Sequence, residues 1–465
     1  MKIDVLVAEI GSTTTVVNAI DGINSDNPKF IGQGQAPTTV FEGGDVRNGL
    51  EGAISNLAKN LGVENIEYND MFATSSAAGG LKMTVHGLVY DMTAKAAKEA
   101  ALGAGAVIHK VTAGKLRRTD IKDIKEIKPN IILIAGGVDY GERDTAIYNA
   151  ELIAGLNLGT PVIYAGNIEN IEEIKLIFED TNYKLYIVDN VYPKIDLLNI
   201  EPTRDVIQKV FEEHITNAPG MQHIKEMVNE HITPTPGAVM ESAKLLKSYL
   251  GDLMVIDVGG ATTDIHSVTE GSEGVSRILV NPEPIAKRSV EGDLGVYVNM
   301  RNIVNLIGKE ELQKELTDLD INEIMNDYLP IPKTQQQIKF VERLTKEAVL
   351  RATKRHAGII RNVYGTSGKS KIAEGKDLSE VKYIVGTGGA LTRLPQRVEI
   401  IKYISEYNRN KDVLFPKAKA KILVDNDYIM ASLGVLSKKY EIASLKLMLK
   451  SLDLEGENYV SKVRN

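Results

Sequence analysis

VLVAEIGSTTTVVNAI, residues 5–20, is echoed by LMVIDVGGATTDIHSV, residues 253–268. Each copy runs from an apolar strand through an acid into Gly, two small residues, Thr-Thr and a second strand. The copies lie about 250 residues apart, too far for a solenoid repeat but suited to two duplicated lobes facing one ligand.

The residue types match a phosphate ligand. A triphosphate needs several backbone N–H donors aimed at its oxygens and a Mg²⁺ to bridge them. Gly permits the close approach and positive φ of such a turn. Ser and Thr hydroxyls add donors without bulk, and a strand-end carboxylate can hold Mg²⁺, directly or through its waters. Gly11, Ser12, Thr13 and Thr14 beside Glu9 supply that set once. Gly259, Gly260, Thr262 and Thr263 with Asp257 and Asp264 supply it again. A single hairpin of this kind is commonplace; two copies, each with an acid two residues before its Gly, point to ATP. A third element, YIVGTGGAL at 383–391, is a strand entering a Gly-rich turn. Its Gly386, Gly388 and Gly389 suit close approach by a nucleoside.

The bulk numbers narrow the alternatives. The 465 residues carry a net charge of −7 with no long basic run, which argues against a nucleic-acid partner. No apolar run approaches the roughly 20 residues of a membrane span, and the N-terminus does not read as a signal peptide, so the expected location is the cytoplasm. The absence of cysteine excludes disulfides, thiolate metal sites and cysteine-held iron–sulfur clusters. The seven histidines are scattered, with no i, i+4 pair of a helical zinc site.

Three regions emerge: a first lobe over 1–90, an inserted or appended α/β domain over 91–235 with its core at about 106–215, and a second lobe over 236–465. In the middle region, strands at 106–110, 130–135, 161–164 and 184–188 alternate with helices. A helix over 237–250 leads into the second hairpin, apolar spacing predicts a long helix over 338–364, and a closing helix is expected at 427–439.

Two phosphate hairpins followed by a Gly-Gly loop resemble the superfamily of actin, sugar kinases and heat-shock chaperone ATPases. The resemblance implies an α/β fold: a two-lobed actin-like ATPase with duplicated ribonuclease-H-like lobes and an additional α/β domain. VEGDLG at 290–295 is similar to the segment before a nucleotide-facing helix, which implies that Glu291 or Asp293 meets the ribose or adenine. Taken with SSAAGGLKMTVHGL, AGGVDYG, IDVGGATTD and VGTGGALTRLP, the first hairpin resembles the glutamate mutase accessory family, often labelled MutL or GlmL. Nothing resembles a DNA mismatch-repair ATPase.

That family resemblance implies a Mg-ATP-dependent reactivating chaperone. Its partner would be an adenosylcobalamin-dependent mutase, glutamate mutase or an aminomutase, from which ATP binding and hydrolysis release damaged cobalamin. Glu9, Asp257 and Asp264 would hold Mg²⁺ through water, with Glu9 and Asp257 catalytic. Two departures stand out. Glu9 replaces the usual Asp, and Thr235 stands where many members carry a Glu that positions water. Glu241, one turn further on, is the candidate substitute, so hydrolysis is expected to be slow or partner-stimulated. The alternative is a small-molecule kinase for a sugar or carboxylate. Oligomerisation is left open.

Other residues carry weaker signals. Asp139 is either a ligand contact at a strand end or a turn residue. Arg351, Lys354, Arg355 and Arg361 read as a solvated basic face of one helix, and His356 as a packed residue. Ser75 and Ser76 with Gly79 and Gly80 read as a tight interlobe turn, the alternative being a place near the γ-phosphate. The 106–215 domain loosely resembles a flavodoxin-type cobalamin-binding domain without its Asp-x-His-x-x-Gly motif, and reads as either a docking module or a structural insertion.

Overall fold

The computed structural model describes residues 1–454 except 12–13, 39–45, 77–81, 105, 216–223, 225, 229–231, 366–367 and 408–411. Ser12, Thr13, Gly79 and Gly80 therefore lie outside the described residues.

The first sheet starts as the opening motif demands. Lys2–Ile10 (β1) turns at Gly11 into Thr14–Asp21 (β2), and Lys29–Pro37 (β3) adds antiparallel to β2. Glu67–Ser75 (β4) lies parallel on the other side of β1.

The chain then builds a separate sheet from Lys82–Gly87 (β5), Val107–Ala113 (β6), Ile131–Ile134 (β7), Val162–Tyr164 (β8) and Leu185–Ile187 (β9). The pairings are all parallel, in the order β6-β5-β7-β8-β9, the doubly wound 2-1-3-4-5 arrangement. Short apolar runs such as IILI in β7 and VIY in β8 are fully buried, as helices on both faces require. Its opening strand, β5, precedes the 90/91 position where the sequence suggested a boundary.

Ile232–Pro234 (β10) returns to β4 and completes the order β10-β4-β1-β2-β3. The last lobe repeats this plan. Leu253–Val258 (β11), Thr263–Val268 (β12) and Ala286–Glu291 (β13) form the antiparallel part. Ile359–Gly365 (β14) and Gly368–Glu374 (β15) make a separate hairpin, while Tyr383–Thr387 (β16) and Lys421–Val424 (β17) extend β11 in parallel. The order β13-β12-β11-β16-β17 is the first sheet's order, strand for strand. Even the registers agree: Glu9 pairs with Val16 and Thr74, and Asp257 with Asp264 and Thr387.

After the final strand of each lobe comes a linking helix, Thr235–Leu250 and Met430–Ser437. The two cross at Gly434, where a methyl group would stand 1.8 Å from the Ala238 carbonyl oxygen. They fill one core with Val5 and Val7 of β1 and Leu253 and Val255 of β11. Strand alternation then turns Glu9 and Asp257 toward the same interlobe layer.

The helix Lys95–Gly103 fastens the doubly wound unit to the second lobe. Its fully buried Ala96, Ala97, Ala100 and Ala101 permit close packing. At the contact with β13, Lys287 pairs with Glu283 at 2.6 Å and Glu99 at 3.3 Å, and Lys95 reaches Glu283 at 2.6 Å. Burial without these partners would strand charge.

Two helices are shorter than their apolar spacing predicts. The long helix is Gln335–His356, so Ile359, Arg361 and Val363 belong to β14. Gly358 marks the break: a methyl group there would meet the Glu374 carbonyl at 2.7 Å, and the Ile-Ile-x-x-Val run beyond it suits a strand. The closing helix begins at Met430, because Asp427 and Tyr428 form a turn with Tyr428 at φ 53°.

Candidate functional site

Both hairpins close with the same bond. The Gly11 amide donates to the Thr14 carbonyl at 3.0 Å, and the Gly259 amide to the Thr262 carbonyl at 2.9 Å. A methyl group on Gly11 would lie 2.6 Å from that Thr14 oxygen, so only Gly fits. Thr263 is less available than its position suggests: its hydroxyl is buried and donates to the Leu294 carbonyl at 2.8 Å.

Glu9, Asp257 and a third acid, Asp425, approach one another beneath these turns. Glu9 Oε1 accepts from the Ser432 amide at 3.1 Å, the Ser432 hydroxyl at 2.5 Å and Asn18 Nδ2 at 3.3 Å. Burial pushes its carboxyl up to about 7, the Ser432 bonds oppose this, and Asp425 and Asp257 push it further. Asp257 is also raised to about 7, by burial first, then by Asp264, against the pull of Arg288. Asp264 itself pairs with Arg288 at 3.1 Å, yet burial still raises its pKa. Its other oxygen has no hydrogen-bond partner among the described residues.

Sequence reading missed Asp425. It accepts from Thr387 Oγ1 and the Met430 amide, each at 2.9 Å, from the Ile429 amide at 3.2 Å, and from Ser451 Oγ at 2.6 Å. Asp425 and Glu9 thus grip the first turn of the same linking helix. KILVD at 421–425 repeats the apolar-strand-then-acid pattern of VLVAE and LMVID, a signal that was present.

The glycines of the third motif divide three ways. Gly388, at φ +82°, leans on Asp257: a methyl group would lie 2.3 Å from its Oδ1. Gly386 is a packing residue under Ile401, and Gly389 faces open space. Gly260 has ordinary room, its nearest neighbour being Tyr297.

Glu291 and Asp293 sit together beside the second hairpin, with Glu291 opposite Thr263. Arg355 holds Asp293 through two bonds, 2.7 and 2.9 Å, and also pairs with Glu291. The guanidinium depresses the Asp293 pKa, while burial raises that of Glu291. The basic side chains face solvent, Arg351 pairing with Glu347 and Lys354 lying over Tyr407, but Arg361 belongs to β14 and not to the helix.

Glu241 does not join the carboxylates. Its Oε1 accepts from Lys244 at 3.2 Å, and the same Lys244 reaches Glu201. Thr235 donates to Thr74 Oγ1 at 3.1 Å. Asp139 is a turn residue, its Oδ1 accepting from the Ile168 amide and Asn190, both at 3.0 Å. His356 is packed between the hydroxyls of Ser267 and Ser289, both at 2.8 Å.

The lobes are joined by more than the shared core. Gln33 donates to Asn18 Oδ1 at 2.8 Å and accepts from Arg393 at 2.9 Å, while Asn18 donates to Ser432 at 2.9 Å. A depression of about 600 Å³ lies elsewhere, on β6 and the turn after it, and contains none of the site carboxylates.

A sheet plan used twice, two matched turns and a shared interlobe core define a two-lobed actin-like ATPase fold with an additional α/β domain. The chain belongs to the MutL protein family, whose model matches residues 5–452. It is 34% identical over 461 residues to Protein MutL of Clostridium tetanomorphum, covering 96% of this chain and 98% of that protein. Among solved structures, a nucleotide-free acetone carboxylase overlaps with a TM-score of 0.40 at 11% identity, over 99% of this chain and 77% of that one. A nucleotide-free diol dehydratase-reactivating factor gives 0.35 at 10% identity, over 94% and 99%. Plasmodium falciparum glycerol kinase with ADP gives 0.34 at 11%, over 100% and 93%. Overlaps this low carry no argument, and the fold rests on strand order and register. Among the described residues, no helix is long and apolar enough to cross a membrane.

Proposed function

We propose that the chain is a Mg-ATP-dependent reactivating chaperone for an adenosylcobalamin-dependent mutase. The observation that carries this reading is the convergence of Glu9 and Asp257, from matched hairpins on two lobes, with Asp425 close enough to raise both. Among the described residues the buried acids outnumber the cation beside them, Arg288, an excess of negative charge that a phosphate-bound divalent cation would offset. Among the described residues, no group of three or more acidic or imidazole side chains could hold a metal ion. Mg²⁺ would therefore have to keep several waters and be held chiefly by the phosphate oxygens of the nucleotide.

In this reading the hairpin amides would bind the phosphates, and Glu9, Asp257 and Asp264 would orient the waters of Mg²⁺. Gly388 and Gly389 would admit the nucleoside, with Glu291, Asp293 and Arg355 at its sugar or base. The cation would offset phosphate charge as the terminal phosphoryl group leaves. Drawing Glu9 toward a cation would weaken its hold on Ser432 and so bias the lobes' arrangement. A mutase that binds the two arrangements unequally would be opened by that bias, releasing damaged cobalamin. Because Glu241 is engaged with Lys244, efficient hydrolysis would require a rearrangement that a partner can supply. The doubly wound unit, with its core at about 106–215, would be the partner module.

The test is to add the protein with ATP and Mg²⁺ to a mutase inactivated with hydroxocobalamin. Recovery of mutase activity is expected, with ATP hydrolysed in the absence of any small acceptor. No recovery with any co-encoded mutase, or phosphate transfer to a small acceptor, would overturn the reading.

A further inference from the structure

The doubly wound sheet ends in a braced apolar platform that nucleotide binding leaves unused. Loops after β7, β8 and β9 build it, tied by buried asparagines. Asn167 Oδ1 accepts from the Tyr140 amide at 3.1 Å, and Asn167 Nδ2 donates to the Gly141 carbonyl at 3.3 Å. Asn190 Nδ2 donates to the Gly137 carbonyl and to Asp139, both at 3.0 Å. The Asp139 amide donates to the Pro193 carbonyl at 3.0 Å, and the Asp196 amide to Tyr192 Oη at 2.9 Å.

This bracing holds apolar side chains in solvent. Tyr140 is 78% exposed, Ile195 69%, Ile168 50% and Leu197 47%. Tyr140 is held at φ 63°, where turn chemistry alone favours Gly or Asn. Among the described residues, no burial of its ring offsets that strain. Strained backbone under an exposed aromatic is a feature of recognition surfaces.

The surrounding charge is one-sided. Glu142, Asp144, Glu169, Asp189 and Asp196 are exposed around the platform, against Arg143 and Lys194. Arg143 is already bonded to Asn170 and the Glu169 carbonyl. Helix-start preferences account for Glu142 and Asp144, but Asp189 and Asp196 head no helix.

We propose that this platform docks a protein partner whose apolar ridge is bordered by lysines or arginines, and that the partner is a subunit of the mutase, an assignment that rests on the function proposed above. The apolar centre supplies affinity, and the acidic rim speeds and orients the encounter.

The experiment measures binding of a purified mutase to the wild-type protein and to Tyr140→Gly, Ile195→Ser and Asp189→Lys. Tyr140→Gly relieves the backbone, so its melting temperature holds or rises while its affinity falls about tenfold or more. Ile195→Ser weakens binding in the same direction, and Asp189→Lys slows association. Wild-type association slows as NaCl rises from about 0.05 to about 0.5 M, and hydrolysis without mutase is unchanged in all three variants. Variants that match a wild type which binds and reactivates the mutase overturn the docking surface alone. A wild type that neither binds nor reactivates the mutase overturns both proposals.

Discussion

Glu9 of the first lobe accepts from both the amide and the hydroxyl of Ser432, at 3.1 and 2.5 Å, on the linking helix that follows the second lobe. A residue placed to orient a cation's waters is therefore also a bond between lobes. Occupancy of the site and lobe arrangement meet in one carboxylate.

Glu9 and Asp257 give the ligand-free protein a defined pH dependence. Both are held at about 7 in the fold, against an ordinary value near 4. A raised carboxyl favours the folded state when protonated. That contribution is complete below about pH 4 and is lost as pH rises through about 7, with a combined loss on the order of a few kcal/mol. Thermal melting at pH 5.5 and pH 8 should show the drop, and Glu9→Gln with Asp257→Asn should flatten it. A melting temperature that rises over this range in the wild type, but not in the double variant, would contradict the assignment.

Gly388 and Gly389 should separate sharply. Gly388→Ala places a methyl group against Asp257 from a positive-φ backbone and should cost about 2–3 kcal/mol together with ATP binding. Gly389→Ala points into open space and should change stability by less than about 0.5 kcal/mol. Chemical denaturation of the two variants checks this pair.

Arg355→Ala should leave Glu291 and Asp293 unpaired beside the second hairpin. Arg355 is partly exposed, so the stability change should stay within about 1 kcal/mol. ATP affinity should fall more than that, with the larger effect at low salt. Equal ATP affinity in the variant and wild type would remove Arg355 from the site.

Arg288→Ala should be the more damaging arginine change. Arg288 is buried and joins Asp264 to the Leu102 carbonyl of the helix that fastens the doubly wound unit. Its loss strands a buried acid, at about 3–5 kcal/mol. Limited proteolysis should show that unit loosening first.

Much of this was legible in the sequence because a strand–turn–strand motif is local and was written twice. Glu9, Asp257 and Gly388 fall where the motifs put them. Asp425 escaped because no Gly-Thr turn follows it; its role as a helix cap becomes visible only when β17 is paired with β16. Glu241 was misplaced for a related reason. Chain distance put it near the site, but Ala238 and Ser242 face the other linking helix while Glu241 turns to Lys244. The four-residue spacing of Ile359 and Val363 satisfies helix and strand alike, and Gly358 was the punctuation that decides between them.

The most direct test of the account is calorimetric titration of ATP into the ligand-free protein, with and without Mg²⁺. It predicts one Mg²⁺-dependent site per chain, weakened about tenfold or more in Asp257→Asn, which keeps the shape of the side chain but removes its charge. Binding that ignores Mg²⁺, or is unchanged in Asp257→Asn, would contradict it.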